Sequence, residues 1–338
     1  MLAVRCHQWM PYHELQIEDV PIPELGPGEV RIAVHYAGVS FATSLVTEGR
    51  YQRKPPLPFS PGTEIAGVID AVAPGVERFK PGDRVCAGID WGGHAEYAVT
   101  DESTVYRLPD DLSFDVAPSL TASYSTACAS LAQRARVQPG ETVLVHGAAG
   151  AVGLAAVECA KALGATVVAT ASTADKLALA RDHGADHTVI FPSATALDDL
   201  RALLPRGAEV VFDPIGGDAF DLSMRCVANS GRILVIGFAG GRVQQIQANI
   251  ILVKDVSILG FNMGSYTGWT RDTSRRSKHG PEMHAVMKQL FAWYREGKIR
   301  PVASHRFPLR EYRDAMETVL SRRSMGKVVL QMPAAQRG

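Results

Sequence analysis

The sequence predicts an α/β protein of two domains. One is an irregular β-barrel or sandwich of short strands; the other is a doubly wound parallel sheet with helices on both faces. Three observations carry this. The chain has 338 residues, longer than one domain usually runs. Its texture changes near residue 120, from β-branched runs punctuated by Pro and Gly to a repeating order of strand, glycine turn and helix. The later strands are almost continuously apolar, as strands covered on both faces must be.

In order, residues 1 to about 120 hold the runs VRIAVHYAGV, AGVIDAVAP and RVCAG, separated by the turn segments PIPELGPGE, APGVERFKPGD and IDWGGH. From 121 to 265 the strand TVLVHG precedes a helical run GLAAVECAKALG, then TVVATAS, the helix DKLALARDHG and HTVIF. EVVFDPIGG, GRILVIGF and VSILGF are three further apolar strands. The remainder predicts helices over PEMHAVMKQLFAWYREGKI and EYRDAMETVLSRR, then a strand KVVLQM.

Composition narrows the function. Hydrophobic residues make up 46% and charged residues 21%, ordinary for a globular chain in water. Lys plus Arg and Asp plus Glu both number 35, so no net charge argues for wrapping a nucleic acid or coating an anionic membrane. The first twenty residues lack the basic and apolar regions of a signal peptide, and no apolar run reaches the roughly 18–20 residues of a membrane helix. Five scattered cysteines without a CxxC pair read as small buried residues in a reducing compartment. A cytoplasmic setting is expected.

VLVHGAAGAVGLAAV is the most informative stretch. Strand residues run into Ala148-x-Gly150-x-x-Gly153 and then a helix, so Ala replaces the usual first glycine of a dinucleotide turn. Gly150 lacks a Cβ where a pyrophosphate must approach the backbone, and Gly153 lets helix and strand pack closely. The helix N-terminus adds unpaired N–H groups and a positive dipole end. Residues Ala149, Gly150, Ala151, Val152 and Gly153 are therefore cofactor-binding candidates. About 20 residues on, where an acid would grip both ribose hydroxyls, stands Ala171. Without that carboxylate a 2′-phosphate is not repelled. Ser172 can donate a hydrogen bond and Lys176 a charge, so NADPH is favoured over NADH. Arg181 is a weaker second cation.

With VQPGETVLVHGAAGAVGLAAVECAKALGA, GRYQRKPPLPFSPGTEIAGVI, VAPGVERFKPGDRV and MGKVVL in hand, the chain resembles the medium-chain dehydrogenase/reductase superfamily over nearly its whole length. It is most similar to the zinc-independent NADPH:quinone oxidoreductase branch. The resemblance implies a GroES-like catalytic domain from 1–120 and 266–338, and a Rossmann NADPH-binding domain from 121–265. It also implies a homodimer, with the apolar strand Val256-Ser257-Ile258-Leu259 as the candidate contact. Where zinc alcohol dehydrogenases carry their three catalytic ligands, this chain has Ser40, Thr63 and the region of Ala122, and only Cys86 where the structural zinc lobe would lie. None of the three is a zinc ligand, so no metal is expected.

Without zinc, a nicotinamide enzyme adds hydride to a carbon made electrophilic by conjugation: a quinone, or the β-carbon of an α,β-unsaturated carbonyl. The resulting oxyanion needs hydrogen-bond donors and then a proton. Related quinone reductases often have Asn and Asp where this chain has Ser40 and Thr43. Those two hydroxyls and Tyr51, at the family's Gly-x-Tyr position, are the catalytic candidates. For the cofactor, the resemblance adds Thr126 near the nicotinamide, Gly237 and Phe238 at a strand end, Phe261 and Met263 near the carboxamide, and Lys327. Phe191 stands where relatives have Tyr. Four cations, Arg271, Arg275, Arg276 and Lys278, share one loop that could meet the phosphates of an acyl-CoA. His146 is expected to be structural, and His94 is given no role. The reading is thus an NADPH-dependent quinone or alkene reductase. The alternatives are an enoyl-thioester reductase and an NADPH-binding protein with vestigial catalysis.

Overall fold

A computed structural model describes residues 1–270 and 274–333. Contacts divide the chain into two compact units. The first takes Met1–Ala122, Met263–Lys288 and Pro301–Gly338; the second takes Ser123–Asn262 and Gln289–Arg300. Compared with the expected division, the structure assigns residues 289–300 to the second unit, and 121, 122 and 263–265 to the first.

The first unit is built on a seven-stranded sheet whose long central strand, Glu29–Val39, alternates buried and partly exposed residues over most of its length. Along one path the order is Ala303–Pro308, Lys327–Gln331, Glu29–Val39, Glu64–Val72, Arg84–Gly88 and Val105–Arg107, with Tyr97–Asp101 also pairing Glu29–Val39. Ile32, Val34, Ile65, Val85, Val105 and Leu330 form part of its buried core. Because Lys327–Gln331 lies beside Glu29–Val39 with Val328 opposite Val39, segments far apart in the chain share one sheet.

The second unit holds six parallel strands in the order His187–Ile190, Thr166–Ala171, Thr142–Val145, Ala208–Asp213, Val227–Val235 and Ser257–Gly260. The strand order reverses between Thr142–Val145 and Ala208–Asp213, so the sheet is doubly wound and opens a crevice there. All six strands overlap the apolar runs read from the sequence, although Val227–Val235 begins four residues before GRILVIGF. Two helical features differ from expectation. Residues 120–134, assigned no element, are continuously helical, with wide π-type turns at Leu120–Tyr124 and Ala129–Arg134. The helix expected from Pro281 starts earlier, at Arg275, and runs to Arg295 with Pro281 inside it. A proline there gives up one backbone hydrogen bond, and the helix continues past it.

Two buried polar nodes fasten the second unit. His146 lies between Thr170 Oγ1 (2.8 Å) and Ser223 Oγ (2.9 Å). Ser223 donates its hydroxyl to Ala219 O, so it accepts from Nε2–H, and Nδ1 accepts from Thr170. Glu158 accepts from Tyr124 Oη (2.5 Å), His183 Nδ1 (2.6 Å) and Arg300 N (3.0 Å), which ties the 120–134 helix to the helix Ala151–Ala162. All five cysteines are buried and free. Among the described residues, no helix is long and apolar enough to cross a membrane.

Candidate functional site

At the end of Thr142–Val145 the chain turns through 146–150 into the helix Ala151–Ala162. Gly147 takes φ +59°, and Ala148 N donates to Thr170 O at 3.0 Å, fastening the turn to the neighbouring strand. Gly150 is the helix N-cap and has no side chain to close it. The first ladder bond is Leu154 N to Gly150 O at 2.8 Å. The amides of Ala151, Val152 and Gly153 therefore precede the ladder, in the position that receives an anion. Two glycines do different work here. A Cβ on Gly153 would sit 2.2 Å from Gly147 O, whereas a Cβ on Gly150 would meet nothing closer than Gly147 O at 3.4 Å. Gly153 is required for packing, while the space in front of Gly150 is open to a ligand.

The next strand ends at buried Ala171, followed by exposed Ser172 and by Thr173, which caps the helix Ala174–Asp182. Lys176 lies in its first turn with Nζ 3.5 Å from Ser172 Oγ, so the two side chains singled out for a 2′-phosphate are adjacent. Arg181 is turned elsewhere: it donates to Thr188 Oγ1 at 2.5 Å. Phe191 is anchored by its amide to Ala171 O at 2.9 Å.

At the sheet's reversal, Asp213 is buried and its Oδ1 accepts from the amides of Ile215 (2.8 Å) and Gly216 (2.9 Å). Over that loop runs the segment after Val227–Val235: Ala239 N donates to Pro214 O and Gly240 N to Ile215 O. Gly237 and Phe238 are thus held at the carboxyl edge of the sheet, with Phe238 42% exposed. Phe261 is buried, its amide on Val235 O. Thr126 is partly exposed on the 120–134 helix. These residues and the nucleotide turn all belong to the second unit. Met263 falls in the first, where it caps the short helix Gly264–Thr267.

In the first unit, Ser40 caps the helix Phe41–Thr47, and its Oγ is 3.3 Å from Thr43 Oγ1, so the two candidate hydroxyls do meet. Tyr51 is stacked on Trp269, with ring centroids 4.6 Å apart and an interplanar angle of 26°. Burial pushes its phenol up, which keeps it a proton-bearing donor. Lys327, expected to reach the cofactor, is instead buried with its ammonium 2.7 Å from Glu64 Oε1 and 2.6 Å from Oε2. Charges this buried need each other: either alone would stand uncompensated in an apolar core. Beside them His94 Nε2 donates to Gly38 O at 3.2 Å, and burial lowers its pKa to about 4, with Lys327 adding to the effect.

The basic stretch, expected as a loop, is helical from Arg275 onward and more committed than its sequence suggests. Arg276 donates to Asp90 Oδ1 (2.5 Å) and to Thr267 O (2.9 Å), so it is not free for a phosphate. Arg53 meets the other oxygen of Asp90 at 3.0 Å, donates to Gly268 O at 3.1 Å and lies over the Trp91 ring. Arg275 and Lys278 are exposed, and Arg271 lies outside the described residues. Sequence reading missed Trp269, Asp90 and Arg53 as members of this group. Positions 51, 53, 90, 269 and 276 share no spacing or motif, and only the fold brings them together. Among the described residues no three His, Cys, Asp or Glu side chains converge as metal ligands.

The chain matches the family described as alcohol dehydrogenase GroES-like domain over residues 26–110, and the zinc-binding dehydrogenase family over 151–277. It is 39% identical to the quinone oxidoreductase-like protein 2 of Rattus norvegicus, across 94% of this chain and 89% of that one. It is 32% identical to the quinone oxidoreductase of the same species, across 98% and 97%. A mycobacterial protein solved as a complex with NADPH superposes with a TM-score of 0.89 at 30% identity, covering 98% of this chain and 99% of that one.

Proposed function

The chain belongs to the quinone oxidoreductase branch of the medium-chain dehydrogenase/reductase superfamily, and from that premise we propose that it is a zinc-independent, NADPH-dependent reductase of quinones or α,β-unsaturated carbonyls. The observation that carries the cofactor choice is the end of Thr166–Ala171. An apolar, buried Ala171 replaces the carboxylate, and Ser172 and Lys176 stand side by side just beyond it. The similar mycobacterial protein solved with NADPH supports the same choice.

The chain's own groups divide the work. The amides of 151–153 would receive the pyrophosphate, Ser172 and Lys176 the 2′-phosphate, and Thr126, Gly237, Phe238, Phe261 and Met263 the nicotinamide end. Bound there, NADPH supplies a hydride. An acceptor that takes the hydride gains two electrons and one hydrogen, so negative charge collects on its oxygen until a proton arrives. Tyr51, kept protonated by burial, is the donor we assign to that oxygen, with the Ser40–Thr43 hydroxyl pair orienting the substrate. The residues at 40, 63 and 122 are not zinc ligands, and the 151–277 match to the zinc-binding dehydrogenase family includes none of them. The five free, buried cysteines suit a reducing, cytoplasmic setting.

We also propose a homodimer through the edge strand Ser257–Gly260. Next to it, on the helix Ala248–Lys254, Leu252 and Val253 are each 82% exposed.

The deciding experiment follows NADPH oxidation with 1,4-benzoquinone, 9,10-phenanthrenequinone, an alkenal and an enoyl-CoA thioester. Turnover of a quinone or the alkenal is expected. Tight NADPH binding without turnover of any acceptor would instead support a protein whose catalysis is vestigial, and preference for the thioester an enoyl-thioester reductase.

A further inference from the structure

Trp269 carries an indole N–H that is buried and has no hydrogen-bond partner. A buried donor left unpaired costs about 1–3 kcal/mol, so each such group calls for an explanation. Its ring is stacked on Tyr51, the residue we assign to the acceptor's oxygen. The residue before it is gripped as well. Arg276 bonds Thr267 O, at the end of the helix Gly264–Thr267, Arg53 bonds O of its C-cap Gly268, and both guanidiniums are held by the one carboxylate of Asp90. The three side chains are each less than a quarter exposed, so water screens the network only in part.

We propose that Trp269 Nε1–H is a second hydrogen-bond donor, beside Tyr51, for the carbonyl oxygen of the acceptor, and that Asp90 is the positioning residue that holds the indole there. This rests on the reductase reading above and adds a specific oxyanion contact to it. As the acceptor gains its hydride, one oxygen becomes anionic; two donors stabilise it until solvent delivers the second hydrogen as a proton, giving the hydroquinone. Donors fixed in place before the reaction need no reorganisation, so the latch matters as much as the N–H.

Trp269→Phe keeps an aromatic ring on Tyr51 and removes only the donor. It should lower kcat/KM for 1,4-benzoquinone by at least about 10-fold, in line with the loss of one oxyanion donor, while NADPH affinity stays within about two-fold. Asp90→Asn should lower kcat/KM in the same direction, and Asp90→Glu should restore part of it. In the double variant Asp90→Asn/Trp269→Phe, the loss should be no greater than in Trp269→Phe alone, because Asp90 acts through the indole. Unchanged kcat/KM in Trp269→Phe, or additive losses in the double variant, would overturn the proposal. A readout without turnover separates this from failure of the reductase reading. In the full chain labelled with 15N-indole, the resonance missing from Trp269→Phe should shift when 1,4-naphthoquinone is added with NADP+. If it does not move, Trp269 is not the donor, whatever acceptor is reduced.

Discussion

Lys176 shows what one side chain decides. It stands beside Ser172, and in the proposed reading it supplies the charge for a 2′-phosphate where a carboxylate would have repelled it. If that contact is worth about 1.5–3 kcal/mol, Lys176→Ala should weaken NADPH binding about 10-fold or more and leave NADH nearly unaffected. Parallel fluorescence titrations with the two cofactors check this, and equal losses would refute it. His94 sets a pH limit instead. Its folded pKa of about 4 lies below the ordinary 6.5, so on acidification the unfolded chain takes up a proton that the folded chain refuses. The corresponding stability is complete above pH 6.5 and lost as pH falls toward 4, up to about 3 kcal/mol. Urea unfolding at several pH values should show a steeper acid loss in the wild type than in His94→Gln; parallel curves would rule His94 out. The placement of Lys176 near Ser172 was legible because it lies five residues beyond Ala171, just after a recognisable strand end. The ion pair of Lys327 was not legible, since nothing in MGKVVL reveals that Glu64 waits across the sheet.

Among the elements, the turn into Ala151–Ala162 is where sequence and structure agree most closely, because its constraints are local. A glycine three residues from another, after an apolar strand, has few physical meanings. The structure separates the two. Gly150→Ala should leave the melting temperature close to the wild type, since the backbone there (φ −76°) suits alanine, yet weaken NADPH binding about 10-fold by filling the approach. Gly153→Ala should destabilise the fold by about 2 kcal/mol or more, because its Cβ meets backbone that cannot yield cheaply. Thermal melts alongside NADPH titration distinguish the two; a Gly150→Ala protein that binds NADPH normally would show that no pyrophosphate approaches there. The wide turns of the 120–134 helix carry no local signal of this kind; the first, at Leu120–Tyr124, delivers Tyr124 to the buried Glu158, a contact 34 residues away in sequence.

At the scale of the whole molecule, the two-unit plan was legible from texture, but the grouping of 289–300 with the second unit was not. A single helix, Arg275–Arg295, contains that boundary, and periodicity carries no mark of where one unit's contacts give way to another's. The edge strand Ser257–Gly260 predicts assembly. Light scattering should find a dimer at micromolar concentration, and Leu252→Lys/Val253→Lys should shift it toward monomer. A wild type that is monomeric under those conditions would sink the proposed contact.

The pairing of Lys327 with Glu64 also bears on the order in which this protein can form on the ribosome. The second unit's six strands all lie within one continuous stretch, 142–260, and can pair as they emerge. Glu29–Val39 is made before that stretch, yet its neighbour Lys327–Gln331 is made after it. Until then one flank of the barrel stays open, and Glu64 cannot be enclosed without stranding a charge. The first unit therefore cannot complete its sheet, or pair Glu64, until the second unit's strands have all been made.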